Sequence, residues 1–248
     1  MNSIMHKLKY VNPPQGIRYN NPIMRKYLRE HSDYSCAYCT ITESESPGAT
    51  FHIDHFKPRS KFPIFKDECI NLRYCCPRCN LMKSDSWITE DEGCIRDCKN
   101  CHTKPCLKNM YRLIDAYCED PNHFLVLGKD DILLPKNGSK PAIHTIKCLR
   151  LNRPQLIKLR KIRRILNLWK KELEDEKKYA LEIIEKISSK KRYFNSINTQ
   201  NVKQHEYIDI LFRMLELQAN FYSDFIDHEL KNVNKLINLH SGGDDDFD

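Results

Sequence analysis

Two cysteine pairs frame the residues best suited to chemistry. Cys36 and Cys39 are two residues apart, as are Cys76 and Cys79, with 36 residues between the pairs. Each Cys-x-x-Cys knuckle can set two thiolates on one ion, and two knuckles complete a tetrahedral zinc site. Such a site has no open coordination position, so it serves shape rather than catalysis. Redox-active or simply buried thiols are the alternative reading of either pair. Between the knuckles stands His52-Ile53-Asp54-His55. Asp54 is a hard oxygen ligand of the kind Mg²⁺ or Mn²⁺ takes. His55, with a pKa near neutrality, can take a proton from water. Asn80 directly follows Cys79 and offers a neutral amide oxygen as a second ligand. Lys83 lies one turn further on the same face, where it can meet a phosphate. By itself an Asp-His pair reads as a surface salt link or a buried histidine. Its enclosure by the two knuckles raises it above that.

These residues need elements to hold them. ATFHIDHF (49–56) alternates apolar and polar residues, which predicts a strand. In a strand, residues 52 and 54 share one face while 53 and 55 share the other. Asp54 and His55 therefore converge only if the strand bends at its end, and Pro58 favours a break there. INLRYCC (70–76) is a second short strand or extended segment. Pro77 can open a helix at N1 that continues through RCNLMKSDSW. Strand, loop, strand and helix thus follow one another across the knuckles.

The stretches HIDHFKPRSKFP and INLRYCCPRCNLMKSD together resemble the motif of HNH endonucleases, the ββα-metal or His-Me finger group. The shared pattern is Asp-His at a strand end, a middle Asn, then Cys-x-x-Cys-Asn and a Lys on a helix. It spans roughly residues 36–85. The resemblance implies that His55 is the general base and that Asp54 and Asn80 hold one catalytic Mg²⁺ or Mn²⁺. It implies that Asn71, as the middle residue, holds the loop that aims the His55 ring, with Lys83 also counted in the catalytic set. Many members carry His where this chain has Asn80, and active members with Asn exist. His52 falls at a variable position and is read as a supporting or minor metal contact. The implied substrate is DNA, with RNA open because both share the backbone. The implied reaction is phosphodiester hydrolysis. A non-catalytic zinc adaptor for nucleic acid or an ATPase is the other class, and the set Asp54, His55, Asn71 and Asn80 argues against it.

A second resemblance covers YRLIDAYCEDPNHFLVLGKDDILLPKN and TIKCLRLNRPQLIKLRK. It is similar to the region after the HNH core in nucleases encoded beside an ATPase in Septu-type antiphage systems and some retrons. That implies a role in antiviral defence and a partner ATPase.

The rest of the chain is organised around this core. Asn21-Pro22 reads as N-cap and N1 of a helix over PIMRKYLREH. Ile23 and Tyr27 share one face of it, with Met24 and Leu28 as further candidates. Cys94, Cys98, Cys101 and Cys106 form a candidate second zinc site, with His102 as a substitute ligand. Cys69, Cys75, Cys118 and Cys148 read as core or incidental. YRLIDAYC (111–118) is read as helical. FLVL (124–127) and ILLP (132–135) flank GKDD as a hairpin. From Pro141 to about Ile187 the pattern is helical, with a break near Asn152-Arg153-Pro154. Another helix covers 206–237, and the acidic end SGGDDDFD is read as disordered.

Composition sets the outer bounds. The 248 residues are 40% hydrophobic and 30% charged, with 7 Gly and 12 Pro, which argues against long low-complexity linkers. No run approaches the roughly 18 apolar residues of a membrane span, and the start lacks the apolar core of a secretory signal. A cytoplasmic location away from membranes is expected. There the 12 cysteines suit metal better than disulfides. The net charge is +8, yet residues 151–203 hold 15 Lys and Arg against 6 Asp and Glu. A basic face of that kind suits a polyanion, and a solvated helical surface with paired charges is the plainer reading.

The expected fold class is α+β: a zinc-braced ββα-metal core with a small hairpin extension and a mainly α-helical C-terminal half. The expected organisation is an N-terminal arm and helix (1–35), a nuclease core (36–110), a hairpin and helix extension (111–150), a helical region for nucleic acid or a partner (151–237) and an acidic tail (238–248).

Overall fold

A computed structural model describes residues 7–87, 111–196 and 202–241. The candidate second zinc ligands Cys94, Cys98, Cys101, Cys106 and His102 lie outside them, as does most of the acidic tail. The fold is mixed α and β. It divides into two compact units, residues 1–163 with 238–248, and residues 164–237.

The first unit is built on a small ββα arrangement. Strand β1 (His52–His55) pairs antiparallel with β2 (Leu72–Cys75), placing Asp54 opposite Arg73 and His55 opposite Leu72. Helix α2 (Pro77–Lys83) follows at once, with Cys76 as N-cap and Pro77 opening the first turn. Ser84 at φ 48° ends it. Helix α1 (Pro22–Glu30) precedes this group, and the Asn21 side chain accepts from the Ile23 N–H at 2.9 Å. Its inward residues are Met24 and Leu28, both fully buried, while Ile23 is exposed. The inward face is thus set one position along from Ile23.

The segment 111–118 is not the helix its sequence suggests; it is extended, then turned. Tertiary bonds outweigh helical periodicity there. The Ile114 N–H donates to Thr145 Oγ1 at 2.9 Å, and Arg112 forms a two-pronged bond with Glu119. Asp115 takes the fully buried Arg73 guanidinium at 2.5 Å, while Tyr10, Phe56 and Tyr117 surround that cation.

Strands β3 (Leu125–Leu127) and β4 (Leu133–Pro135) form the expected hairpin. Asp130 and Asp131 turn it with φ near 60°, a conformation Asp tolerates better than most residues. Helix α3 (Lys140–Cys148) has Ser139 as N-cap. Helix α4 (Pro154–Ser196) then begins after a short break, and α5 (Val202–Ser241) ends the described chain. Leu72, Leu125, Leu133, Ala142, Leu149 and Leu156 lie in one core with the buried cysteines of the knuckles.

In the second unit, α4 and α5 run antiparallel. Lys191 pairs with Glu216 at 2.8 Å, Lys177 with Asp227, and the Tyr222 hydroxyl donates to Glu176 at 3.1 Å. Ala180, Ile226 and Val233 are buried along the pair. Among the described residues, no helix is long and apolar enough to cross a membrane.

Candidate active site and zinc site

The knuckles meet. The Sγ atoms of Cys36, Cys39, Cys76 and Cys79 all lie within 4.8 Å of one another, and all four residues are buried. Cys39 and Cys76 sulfurs are 3.8 Å apart. That is far too long for a disulfide. It matches the edge of a tetrahedron with Zn–S near 2.3 Å, which is roughly 3.8 Å. Local backbone makes the convergence possible. In the first knuckle the Thr40 N–H closes back on the Cys36 carbonyl at 2.9 Å, and the Ala37 N–H donates to the Tyr74 carbonyl of β2 at 2.9 Å. In the second, the α2 start aims the Cys79 N–H at Cys76 Sγ, 3.4 Å away. Hydrogen bonds from Cys36, Cys39 and Cys79 hold the Cys76 thiol far below its ordinary pKa. Outside the cluster, burial pushes Cys69 up to about 11 and Cys118 up to about 12. At neutral pH these two are protonated, weakly reactive thiols.

The Asp-His pair lies beside this cluster, at the end of β1. Asp54 is 7% exposed. Its Oδ2 accepts from the Tyr38 hydroxyl at 2.5 Å and pairs with Lys83 Nζ at 3.1 Å. Among the described residues, its Oδ1 has only a long contact to Lys83, at 3.3 Å. A carboxylate oxygen carries two lone-pair sites, so Oδ1 keeps capacity for a cation. Lys83 also donates to the His55 carbonyl at 2.7 Å and is fully buried. It does not extend to the surface to meet a phosphate, as the helical spacing suggested. The α2 face that carries it is packed against β1, and its charge is spent on Asp54.

His55 is held from the other side. Its Nε2 lies 2.9 Å from the Lys66 carbonyl. A carbonyl only accepts, so Nε2 carries the proton and Nδ1 is left as the basic nitrogen. The Tyr19 ring meets the imidazole edge-on with centroids 4.8 Å apart. Burial lowers the His55 pKa, and the Lys66 bond and the Asp54 charge oppose that effect. The neutral, proton-accepting form is therefore favoured.

Asn71 supports the loop that presents Lys66. Its Oδ1 accepts from the Lys57 N–H at 2.8 Å, and its Nδ2 donates to the Lys57 carbonyl at 3.1 Å and the Phe65 carbonyl at 3.2 Å. One amide thus ties both ends of the 57–65 loop, next to the residue that fixes the His55 ring. Asn80 sits on α2 immediately after Cys79 and one turn before Lys83, half-buried. His52, at the start of β1, is exposed.

Three contributors escaped the sequence reading. Tyr38 lies inside the first knuckle, and its ring hydroxyl was a visible if unspecific signal. The Lys66 carbonyl is a main-chain group and has no sequence signal. Arg153, whose guanidinium reaches Cys39 and Cys79, was visible only as part of a helix break.

Residues 36–86 match the HNH endonuclease family. No curated protein and no solved structure matches the chain. The matched stretch begins at the first zinc-type cysteine and ends just beyond α2, so it contains the whole ββα arrangement. Residues 36–86 thus form an HNH endonuclease domain, with a four-cysteine cluster that fits zinc.

Proposed function

We propose that the protein is a metal-dependent endonuclease that hydrolyses phosphodiester bonds of DNA, with His55 as general base. The observation that carries the reading is the Lys66 carbonyl on His55 Nε2, because it presents Nδ1 as the proton acceptor. Asp54 and Asn80 would hold one hard divalent cation, Mg²⁺ or Mn²⁺. The fit rests on the available Oδ1 of Asp54 and the oxygen character of the donor set. When bound, the ion supplies positive charge to the phosphoryl and leaving-group oxygens. His55 Nδ1 removes the proton from the attacking water. Asn71 keeps the 57–65 loop closed, and Lys83 and Tyr38 fix the Asp54 carboxylate. One well-placed base contributes about 10²–10⁴ in rate.

The basic stretch 151–203 favours a polyanionic substrate. RNA is the alternative substrate, since the site addresses the shared backbone. An ATPase partner in antiphage defence belongs to the same proposal and is supported by the resemblance of 111–161 alone. The test is cleavage of a plasmid and a structured RNA side by side, with Mg²⁺, by wild type and His55→Ala. We expect plasmid cleavage by wild type and its near abolition in the variant, with zinc content unchanged. Equal cleavage by both proteins would overturn the assignment of His55.

A further inference from the structure

Arg153 occupies the break between α3 and α4, 114 residues from Cys39 and 74 from Cys79. Its own carbonyl starts α4 by accepting from Leu156 N at 3.0 Å and Ile157 N at 3.2 Å. The side chain folds inward and is 8% exposed. Nη1 donates to the carbonyls of Leu149 at 3.1 Å and Arg150 at 3.5 Å. Nη2 points at sulfur: 3.5 Å from Cys39 Sγ and 3.8 Å from Cys79 Sγ. Nε has no partner. Among the described residues no carboxylate bonds this guanidinium.

A buried cation without a counter-charge is strongly disfavoured. Among the described residues, the groups within its reach that can carry negative charge are the cysteine sulfurs. Four thiolates around Zn²⁺ form a net dianion, which a buried setting also disfavours unless it is compensated. The two needs are complementary. Guanidinium is weakly hydrated and presents several donors in a planar fork, which suits it to this place. The contacts also bridge the knuckles, one sulfur from each.

We propose that Arg153 is a functional part of the zinc site: it compensates the charge of the thiolate cluster, bridges the two knuckles, and makes the seating of the first turn of α4 dependent on bound zinc. This rests on reading the four cysteines as a zinc site, and it does not depend on nuclease activity. A role confined to clamping the Leu149 and Arg150 carbonyls is the competing account.

The experiment uses the zinc-loaded full chain as wild type, Arg153→Met and Arg153→Lys, with zinc release into an excess of chelating dye as the readout. Partners that orient metal ligands typically change metal affinity by about 10–100-fold. Arg153→Met should release zinc at least about tenfold faster, with Arg153→Lys between it and wild type. In the Co²⁺-substituted chain, loss of the N–H···S bonds should move the sulfur-to-cobalt charge-transfer band to lower energy, a change that lost packing alone does not produce. Stripping zinc from wild type should raise amide exchange at residues 156–160. A folded Arg153→Met with wild-type release and an unmoved cobalt band overturns the proposal. If Arg153→Met does not fold, Arg153→Lys decides: release at the wild-type rate overturns it, and faster release supports it. If no variant retains a four-cysteine metal site and wild type binds neither Zn²⁺ nor Co²⁺, the zinc reading itself fails, which is a distinct result.

Discussion

The ammonium of Lys83 lies 3.1 Å from Asp54 Oδ2, and neither side chain is more than 8% exposed. A buried pair of this kind adds little net stability over an apolar pair, yet removing one partner strands the other. Lys83→Met keeps most of the side-chain length and, among the described residues, leaves Asp54 the Tyr38 hydroxyl. We expect a loss of about 3–5 kcal/mol, read from the urea midpoint in metal-free buffer. An unchanged midpoint would show that the carboxylate does not depend on Lys83 for its charge.

Tyr38 connects the zinc knuckle to the proposed catalytic ligand. Tyr38→Phe removes one hydroxyl from the Asp54 contact and retains the ring. The expected outcome is a rise of about tenfold in the Mg²⁺ concentration for half-maximal cleavage, with zinc content unchanged. A Mg²⁺ titration that superimposes on wild type would leave Tyr38 with packing alone.

Asn71 makes three hydrogen bonds to the 57–65 loop. Asn71→Ala removes one hydrogen bond each from the Lys57 N–H and from the carbonyls of Lys57 and Phe65. A cost of about 2–4 kcal/mol follows from typical penalties for unmade buried bonds. Cleavage should fall by more than the folded fraction does, because the Lys66 carbonyl and the His55 ring lose their setting. Activity per folded molecule, measured at a temperature where the variant is fully folded, separates the two effects. Wild-type activity there would confine Asn71 to stability.

Two metals should respond differently to chelation. Brief EDTA treatment that leaves zinc in place should stop cleavage without altering circular dichroism, and Mg²⁺ or Mn²⁺ should restore it where added Zn²⁺ does not. Stripping zinc from the zinc-loaded four-cysteine cluster should instead lower the unfolding temperature, because the cluster ties residues 36–39 to 76–79. Cleavage that survives complete removal of Mg²⁺ and Mn²⁺ would count against the hard-metal site.

Much of the candidate site's local geometry was legible from residue type and spacing. The Cys-x-x-Cys pairs, Asp54-His55 and the Cys76–Lys83 helix start are local patterns, and local backbone rules carry them into structure. Pro77 at N1 and Asn21 at an N-cap are positions that sequence specifies directly. The hairpin about Gly128–Asp131 is local in the same sense. The segment 111–118 was misread because its apolar spacing is compatible with a helix, whereas Arg73 and Thr145, distant in sequence, hold it extended. Lys83 was misread for a similar reason: helical spacing gives a face but not what covers that face.

By itself, then, the sequence determined which groups are available: four cysteine sulfurs, one carboxylate, one imidazole and the amides beside them. Only the tertiary structure decided their working states. It spent the charge of Lys83 on Asp54, fixed the His55 proton on Nε2 through a main-chain carbonyl, and brought Arg153 to the sulfurs of both knuckles. The physical reason is that hydrogen bonding and charge pairing are short-ranged and act through space, so they depend on which distant residues folding makes neighbours, and not on spacing along the chain.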